Sequence, residues 1–190
     1  MIMTAPATTR RRWTVDEYYV MAEDGLLHPD DRVELLDGDV VMMVPIGPHH
    51  GGVVNTLIKH LTRLVGDRAL VSVQNPIKLD QYSEPQPDLA LLRPRKGDYR
   101  DRHPGPDDVL LVIEVAKTSL TVDLEVKVPL YARAGIPEVW VIDLDNAVLL
   151  AHRDPAGDRY ASVESYRADA EVTVAKLPRV SLALEEILDE

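Results

Sequence analysis

The apolar residues of the chain follow two periods, and the switches between them mark the elements. Val53, Val54, Leu57, Ile58, Leu61, Leu64 and Val65 recur at helical spacing, with Lys59, His60 and Arg63 on the other side. This predicts an amphipathic helix, opened by His49-His50-Gly51-Gly52 and stopped by Gly66. A shorter helix is expected from about Val15 to Glu23. Its start is a capping box, Thr14-Val15-Asp16-Glu17, in which Thr14 and Glu17 satisfy each other's backbone N–H groups. Trp13 and Tyr18 take the flanking staple positions, and Gly25 ends the helix.

Val109-Leu110-Leu111-Val112-Ile113-Glu114-Val115 is the most apolar stretch and lacks alternation, which predicts a strand covered on both faces. A helix should follow from about Ser119 to Ala134, kinked or divided by Pro129, which has no N–H for the ladder. Glu138–Asp143 is a second buried strand. Strand, helix, strand at this length is a right-handed βαβ unit with parallel strands. Asp37-Gly38, between Arg32–Leu36 and Asp39–Met43, predicts a type I′ hairpin with Glu34 on its first strand. Further strands are expected at 69–74, 76–79 and 87–92, the last entered through Asp88. Ala147–His152 should be an antiparallel partner of Glu138–Asp143, with weak strands near 159–166 and 171–177. The fold class is therefore α/β (α+β), a mixed central sheet flanked by helices. Residues 1–12, ending in three arginines, read as a flexible basic tail, and 13–190 as one domain.

The 190 residues contain no Cys, which excludes disulfides, thiolate catalysis and Cys-ligated metals. With only 5% aromatics and no Phe, the interior must be built from aliphatic side chains. Apolar runs are too short for a membrane span, and the N-terminus lacks a signal-peptide pattern. A soluble, cytoplasmic protein without membrane association is expected. Lys and Arg number 21 against 32 Asp and Glu, a net charge of −11, which argues against a protein that coats nucleic acid. A local basic groove remains compatible with it.

Two carboxylates change this picture. Glu114 lies inside the most apolar strand, where an ionised group must be paired, protonated or bound to a cation. Asp88 opens another apolar strand, so a sheet can bring the two together at one edge. Hard oxygen donors at strand ends suit Mg²⁺, with Mn²⁺ as its substitute, and the carbonyl of Val115 is a further candidate ligand. Such a cation polarises a phosphoryl oxygen and holds a water nucleophile. A lysine would assist that water. Lys127, on the following helix with Asp123 one turn before and Tyr131 one turn after, is the candidate. Its alternative role is a solvated Asp123–Lys127 pair. Lys117 is the neighbouring choice, but strand alternation should point it away from Glu114. His50 sits at a helix N-terminus, where the macrodipole disfavours imidazolium. That suits either a neutral ligand or proton shuttle, or a plain capping residue. Arg93, Arg95, Lys96, Arg100 and Arg102, against Asp98 and Asp101, form a basic loop that either contacts phosphates or is simply solvated.

Glu34, Pro87-Asp88, Ile113-Glu114-Val115, Asp123, Lys127, Tyr131 and the run Gly135-Ile136-Pro137-Glu138-Val139-Trp140-Val141-Ile142-Asp143 together resemble the Uma-type restriction endonuclease family of the PD-(D/E)XK nuclease superfamily. The resemblance spans roughly residues 13–150 and is most specific over 87–143. It implies a restriction-endonuclease-like core and Mg²⁺-dependent hydrolysis of phosphodiester bonds in nucleic acid, DNA in the first place. Asp88 and Glu114 would be the metal ligands. Glu34 matches an acidic residue that the superfamily supplies ahead of its core, and His50 a histidine found after the first hairpin. The superfamily's lysine position is Ala116 here, and the resemblance implies that Lys127 replaces it from the next helix. Two other functions stay open: a nuclease-fold interaction module without activity, and a metal-dependent hydrolase of a small phosphoester. Cutting both strands of a duplex requires two sites, and a homodimer is expected, with the strand near Ala147–His152 as a candidate edge.

Overall fold

The computed structural model describes residues 10–28 and 30–188. Residues 1–9 of the expected basic tail lie outside the described residues. Arg10, Arg11 and Arg12 are described, and they pair with Asp39, Glu17 and Asp37 respectively. The capping box forms: Glu17 N–H donates to Thr14 Oγ1 at 3.2 Å and Thr14 N–H to Glu17 Oε2 at 2.9 Å. It starts α1 (Val15–Glu23). β1 (Val33–Leu36) and β2 (Asp39–Met42) pair antiparallel around Asp37 and Gly38. Both turn residues have positive φ, 51° and 85°, as a type I′ turn requires. A side chain at 38 would also collide with Arg12, whose Cβ lies 2.5 Å from where it would begin.

α2 (Pro48–Val65) packs Val53, Val54, Leu57, Leu61 and Val65 inward. The central sheet has six strands in the order β3 (Leu70–Val73), β4 (Leu89–Leu92), β5 (Val109–Ala116), β6 (Glu138–Asp143), β7 (Val148–Ala156) and β8 (Arg159–Tyr166). β5 and β6 are parallel, and the other neighbours are antiparallel. The mixed sheet and the βαβ unit are thus as the pattern predicts. Side chains alternate between its faces. Leu111, Ile113, Val115, Trp140 and Ile142 pack with α2, while Val112, Ala116, Val139 and Val141 pack with the helix that joins β5 to β6.

Two expectations change. The 76–79 segment is not a strand. Ile77 and Leu79 are buried, but their N–H groups bond to Pro85 and Ser83 carbonyls in an irregular excursion. The Ala147–His152 region belongs to β7, which has a neighbour on each side, so it offers no free edge. The edges of this sheet are β3 and β8. The connecting helix is divided, as expected, here into α3 (Leu120–Val122), a π-helical turn over Asp123–Lys127, and α4 (Val128–Arg133). Pro129 supplies the reason. In a regular helix its ring would clash with the carbonyl four residues back, and the wider π turn just before it relieves that contact.

The C-terminal part adds β9 (Glu171–Thr173), β10 (Ser181–Ala183) and α5 (Glu185–Leu188). It is tied to the sheet by Glu138, a fully buried carboxylate. Glu138 accepts from Trp140 Nε1, Arg153 Nε and the Ala175 N–H at 2.7–2.8 Å. No helix among the described residues is long and apolar enough to cross a membrane. Because Glu138→Ala leaves the Trp140 indole and the Ala175 N–H without their acceptor, while Arg153 keeps Glu164, we expect a loss of about 1–3 kcal/mol, read as a lower urea midpoint.

Candidate active site

Strand alternation puts Glu114 on the same face as Val112 and Ala116, the face covered by α4. There Tyr131 donates its O–H to Glu114 Oε1 at 2.7 Å. Lys127 descends from the π turn onto the same spot. Its Nζ lies 3.1 Å from Glu34 Oε1, 3.4 Å from Glu114 Oε1 and 3.9 Å from Asp123 Oδ1. The lysine is only 5% exposed, so the solvated Asp123–Lys127 pair is not what forms. Glu34 comes from β1, and its other oxygen accepts the Gln86 N–H at 3.0 Å. Asp123 is buried as well and accepts from Ser119 Oγ at 2.7 Å.

Asp88 sits just before β4. Its Oδ2 accepts the Val115 N–H at 2.9 Å and His50 Nε2 at 3.1 Å, while Oδ1 has only a 3.4 Å contact from Gln74. The β4–β5 register pairs Leu89 with Ile113, and its continuation sets Pro87 opposite Val115. Pro87 has no N–H to give, so the ladder position that would engage the Val115 carbonyl is vacated. The Ala116 carbonyl bonds to Leu144 on the β6 side. By alternation, Val115 presents its N–H and carbonyl toward Asp88.

Asp88, Glu114, Glu34, Asp123, His50 and Lys127 all line one cavity of ≈ 370 Å³. Its electrostatics are uneven. Burial pushes Glu114 well above the ordinary carboxylate range; Lys127 opposes this, and the other carboxylates reinforce it. Asp123 is raised for the same reasons. Asp88 is half-buried, which works to raise it, yet hydrogen bonds from His50 and Val115 hold it below its ordinary value. Lys127 is raised: burial works against its charge, but Glu114, Glu34 and Asp123 outweigh it. It is therefore an ammonium at neutral pH. The Asp88 hydrogen bond also raises His50, the direction opposite to the one expected from a helix N-terminus.

Four carboxylates thus face one ammonium and one imidazole. Asp88 Oδ1 and Glu114 Oε2 are their least engaged oxygens among the described residues. This donor set fits Mg²⁺, which takes one or two carboxylates and keeps several waters. No group of three or more His, Asp or Glu among the described residues has an arrangement that would hold a metal by itself. The ion would depend on water and substrate for its remaining ligands.

The basic loop is not brought to this site. β4 leaves Asp88 behind, and the loop follows at the far end of β4 and before β5, while Glu114 lies near the end of β5. None of Arg93, Arg95, Lys96, Arg100 and Arg102 lines the cavity. Arg95 is paired with Asp101 and Arg102 with Asp108, and Arg93 bonds to the Asp107 carbonyl. Besides Lys127, the cavity is lined by Arg32 and Lys117, both exposed and without an ion pair among the described residues. Lys117 escapes the alternation argument because the strand ends at Ala116. Asp123 and Ser119 could have been found as a Ser119-Asp123-Lys127 stripe at i, i+4 spacing. Gln86 and Arg32 left no such signal.

The buried carboxylates set a pH dependence. For Glu114 the folded pKa exceeds the ordinary one, so its favourable contribution is complete at acid pH and is lost as pH rises through the folded value. Asp88 has the opposite sign: its contribution is present above the ordinary value and is lost as pH falls through the depressed one. In EDTA at pH 8, Glu114→Gln should therefore raise the melting temperature by about 2–4 °C, the effect of roughly 1 kcal/mol in a chain of this size. At pH 4 the difference should vanish.

Comparison with known proteins agrees with this architecture. A crystal structure described as "a putative nuclease belonging to DUF820", from Anabaena variabilis ATCC 29413, superposes with a TM-score of 0.70 at 15% identity, covering 92% of this chain and 97% of that one. At that identity the likeness speaks for the fold. No curated protein matches the sequence. The family match runs over residues 15–185, beyond the 13–150 stretch that carried the resemblance and across the C-terminal strands. The chain belongs to the Uma2 family, described as "Putative restriction endonuclease".

Proposed function

We propose that the protein is a divalent-metal-dependent endonuclease that hydrolyses phosphodiester bonds of DNA. The observation that carries this reading is the excess of carboxylate over cation in one cavity, with Asp88 Oδ1 engaged only by a 3.4 Å contact from Gln74 and Glu114 Oε2 without a hydrogen bond among the described residues. Asp88, Glu114 and the Val115 carbonyl would hold Mg²⁺ or Mn²⁺. When bound, the ion supplies Lewis acidity toward a phosphoryl oxygen and toward water.

The chain's own groups do the rest. Lys127 is held as an ammonium, so it is a hydrogen-bond donor to water or to charge developing on phosphorus, not a base. Glu34 and Asp123 fix its position. Tyr131 orients Glu114, and His50 with the Val115 N–H orients Asp88. In the reaction a water oxygen joins phosphorus and one P–O ester bond breaks. The departing sugar oxygen takes up a proton that the water has released. The competing reading, an interaction module that kept the fold, draws on Ala116 at the superfamily's lysine position.

Incubation of supercoiled plasmid, single-stranded DNA and RNA with Mg²⁺ or Mn²⁺ separates these readings. Cleavage should fall at least about 100-fold in Asp88→Asn and in Lys127→Met, the size of loss seen when one preorganised electrostatic group is removed. No cleavage of any substrate by the wild type, or cleavage indifferent to Asp88→Asn, would overturn the proposal. The ion should also raise the melting temperature of the wild type, by an amount that grows with its concentration. That rise should disappear in the double variant Asp88→Asn/Glu114→Gln.

A further inference from the structure

The walls of the cavity differ from its floor. The segment from β2 to α2, Met42-Met43-Val44-Pro45-Ile46, forms one rim, and Val122 at the start of the broken helix stands on the cavity as well. Met42 is 77% exposed, Val44 51%, Ile46 41% and Val122 37%. Nine large apolar side chains are exposed among the described residues, and four of them gather at this cavity. Scattered exposed apolar groups need no explanation, but a cluster beside a charged floor does. Arg32, Lys117 and the exposed His49 share the same lining.

An intact duplex gains little here. It presents a solvated phosphate backbone, and proteins that hold it use broad positive surfaces. This chain carries −11 overall, and its arginine-rich loop is away from the cavity. A nucleobase face gains from apolar contact whatever its sequence, and Met, Ile and Pro are residue types that wedge between base steps. The volume of ≈ 370 Å³ is that of a pocket for one small ligand, not of a channel for paired strands. Arg32 and Lys117, both exposed, add positive charge to the same lining, which suits the phosphates flanking a base.

Resting on the hydrolytic reading above, we infer that the site takes an unpaired or unstacked nucleotide. Met42–Ile46 acts as an apolar wedge that holds its base, while its phosphodiester lies over Asp88, Glu114 and Lys127. The substrates are then single strands, or duplexes locally opened by a mismatch or bulge.

The test uses the full chain and three oligonucleotides of one sequence: single-stranded, fully paired, and paired except for a central two-nucleotide mismatch. Each carries 2-aminopurine at the mismatch position. With Mn²⁺, the single strand and the mismatched duplex should be cut at least 10-fold faster than the paired one. With Ca²⁺ in its place, binding should raise 2-aminopurine emission as the base leaves its stack. Met42→Ser/Ile46→Ser changes exposed side chains, so folding is not at stake. It should abolish the emission rise and raise KM for the mismatched substrate about 10-fold. Equal cutting of all three substrates with no emission change overturns the inference and leaves the hydrolytic reading standing. An emission rise lost in the double variant, with no cutting of any substrate, upholds the wedge and overturns hydrolysis. Neither signal overturns both.

Discussion

The ammonium of Lys127 and the carboxylates around it form the interaction on which the site depends. Glu34, Glu114 and Asp123 come from three separate stretches of chain, and none of them is tolerable in an apolar interior alone. Lys127 makes their convergence possible, and they in turn keep it charged where burial would neutralise it. One ammonium does not balance three carboxylates, and Asp88 needs His50 as well. The cavity thus holds more carboxylates than cationic partners.

The backbone prepares this arrangement by local means. Alternation along β5 turns Glu114 away from the α2 core and toward α4. Pro87 empties the ladder position opposite Val115, while Asp88, the next residue, captures the Val115 N–H. Pro129 widens the helix into a π turn between Asp123 and Lys127. The last two depart from regular structure, and both are close to the carboxylates. The departures fit a site whose local rules yield to its chemistry.

Much of the fold was legible in the order of apolar residues. The capping box, the Asp37-Gly38 turn, the α2 stripe and the two parallel strands are short-range features, and short-range sterics and hydrogen bonding decide them. The strand expected at 76–79 failed because burial of Ile77 and Leu79 says nothing about which backbone will pair with them. The edge expected at Ala147–His152 failed for the same reason: the chain returns as β8, and sequence alone does not rank two possible neighbours.

In the site, the sequence by itself identified carboxylates that could not stand alone, Glu114 above all, because an ionised group inside an uninterrupted apolar strand demands a partner. It also singled out Lys127. Only the tertiary structure decided that Glu34 would reach the same lysine, that Asp123 would be buried and not solvated, and that the arginine-rich loop would end up at the other end of the strands. Spacing along one element fixes which face a side chain occupies. Which elements meet at that face is set by sheet order and packing, and these are properties of the whole chain.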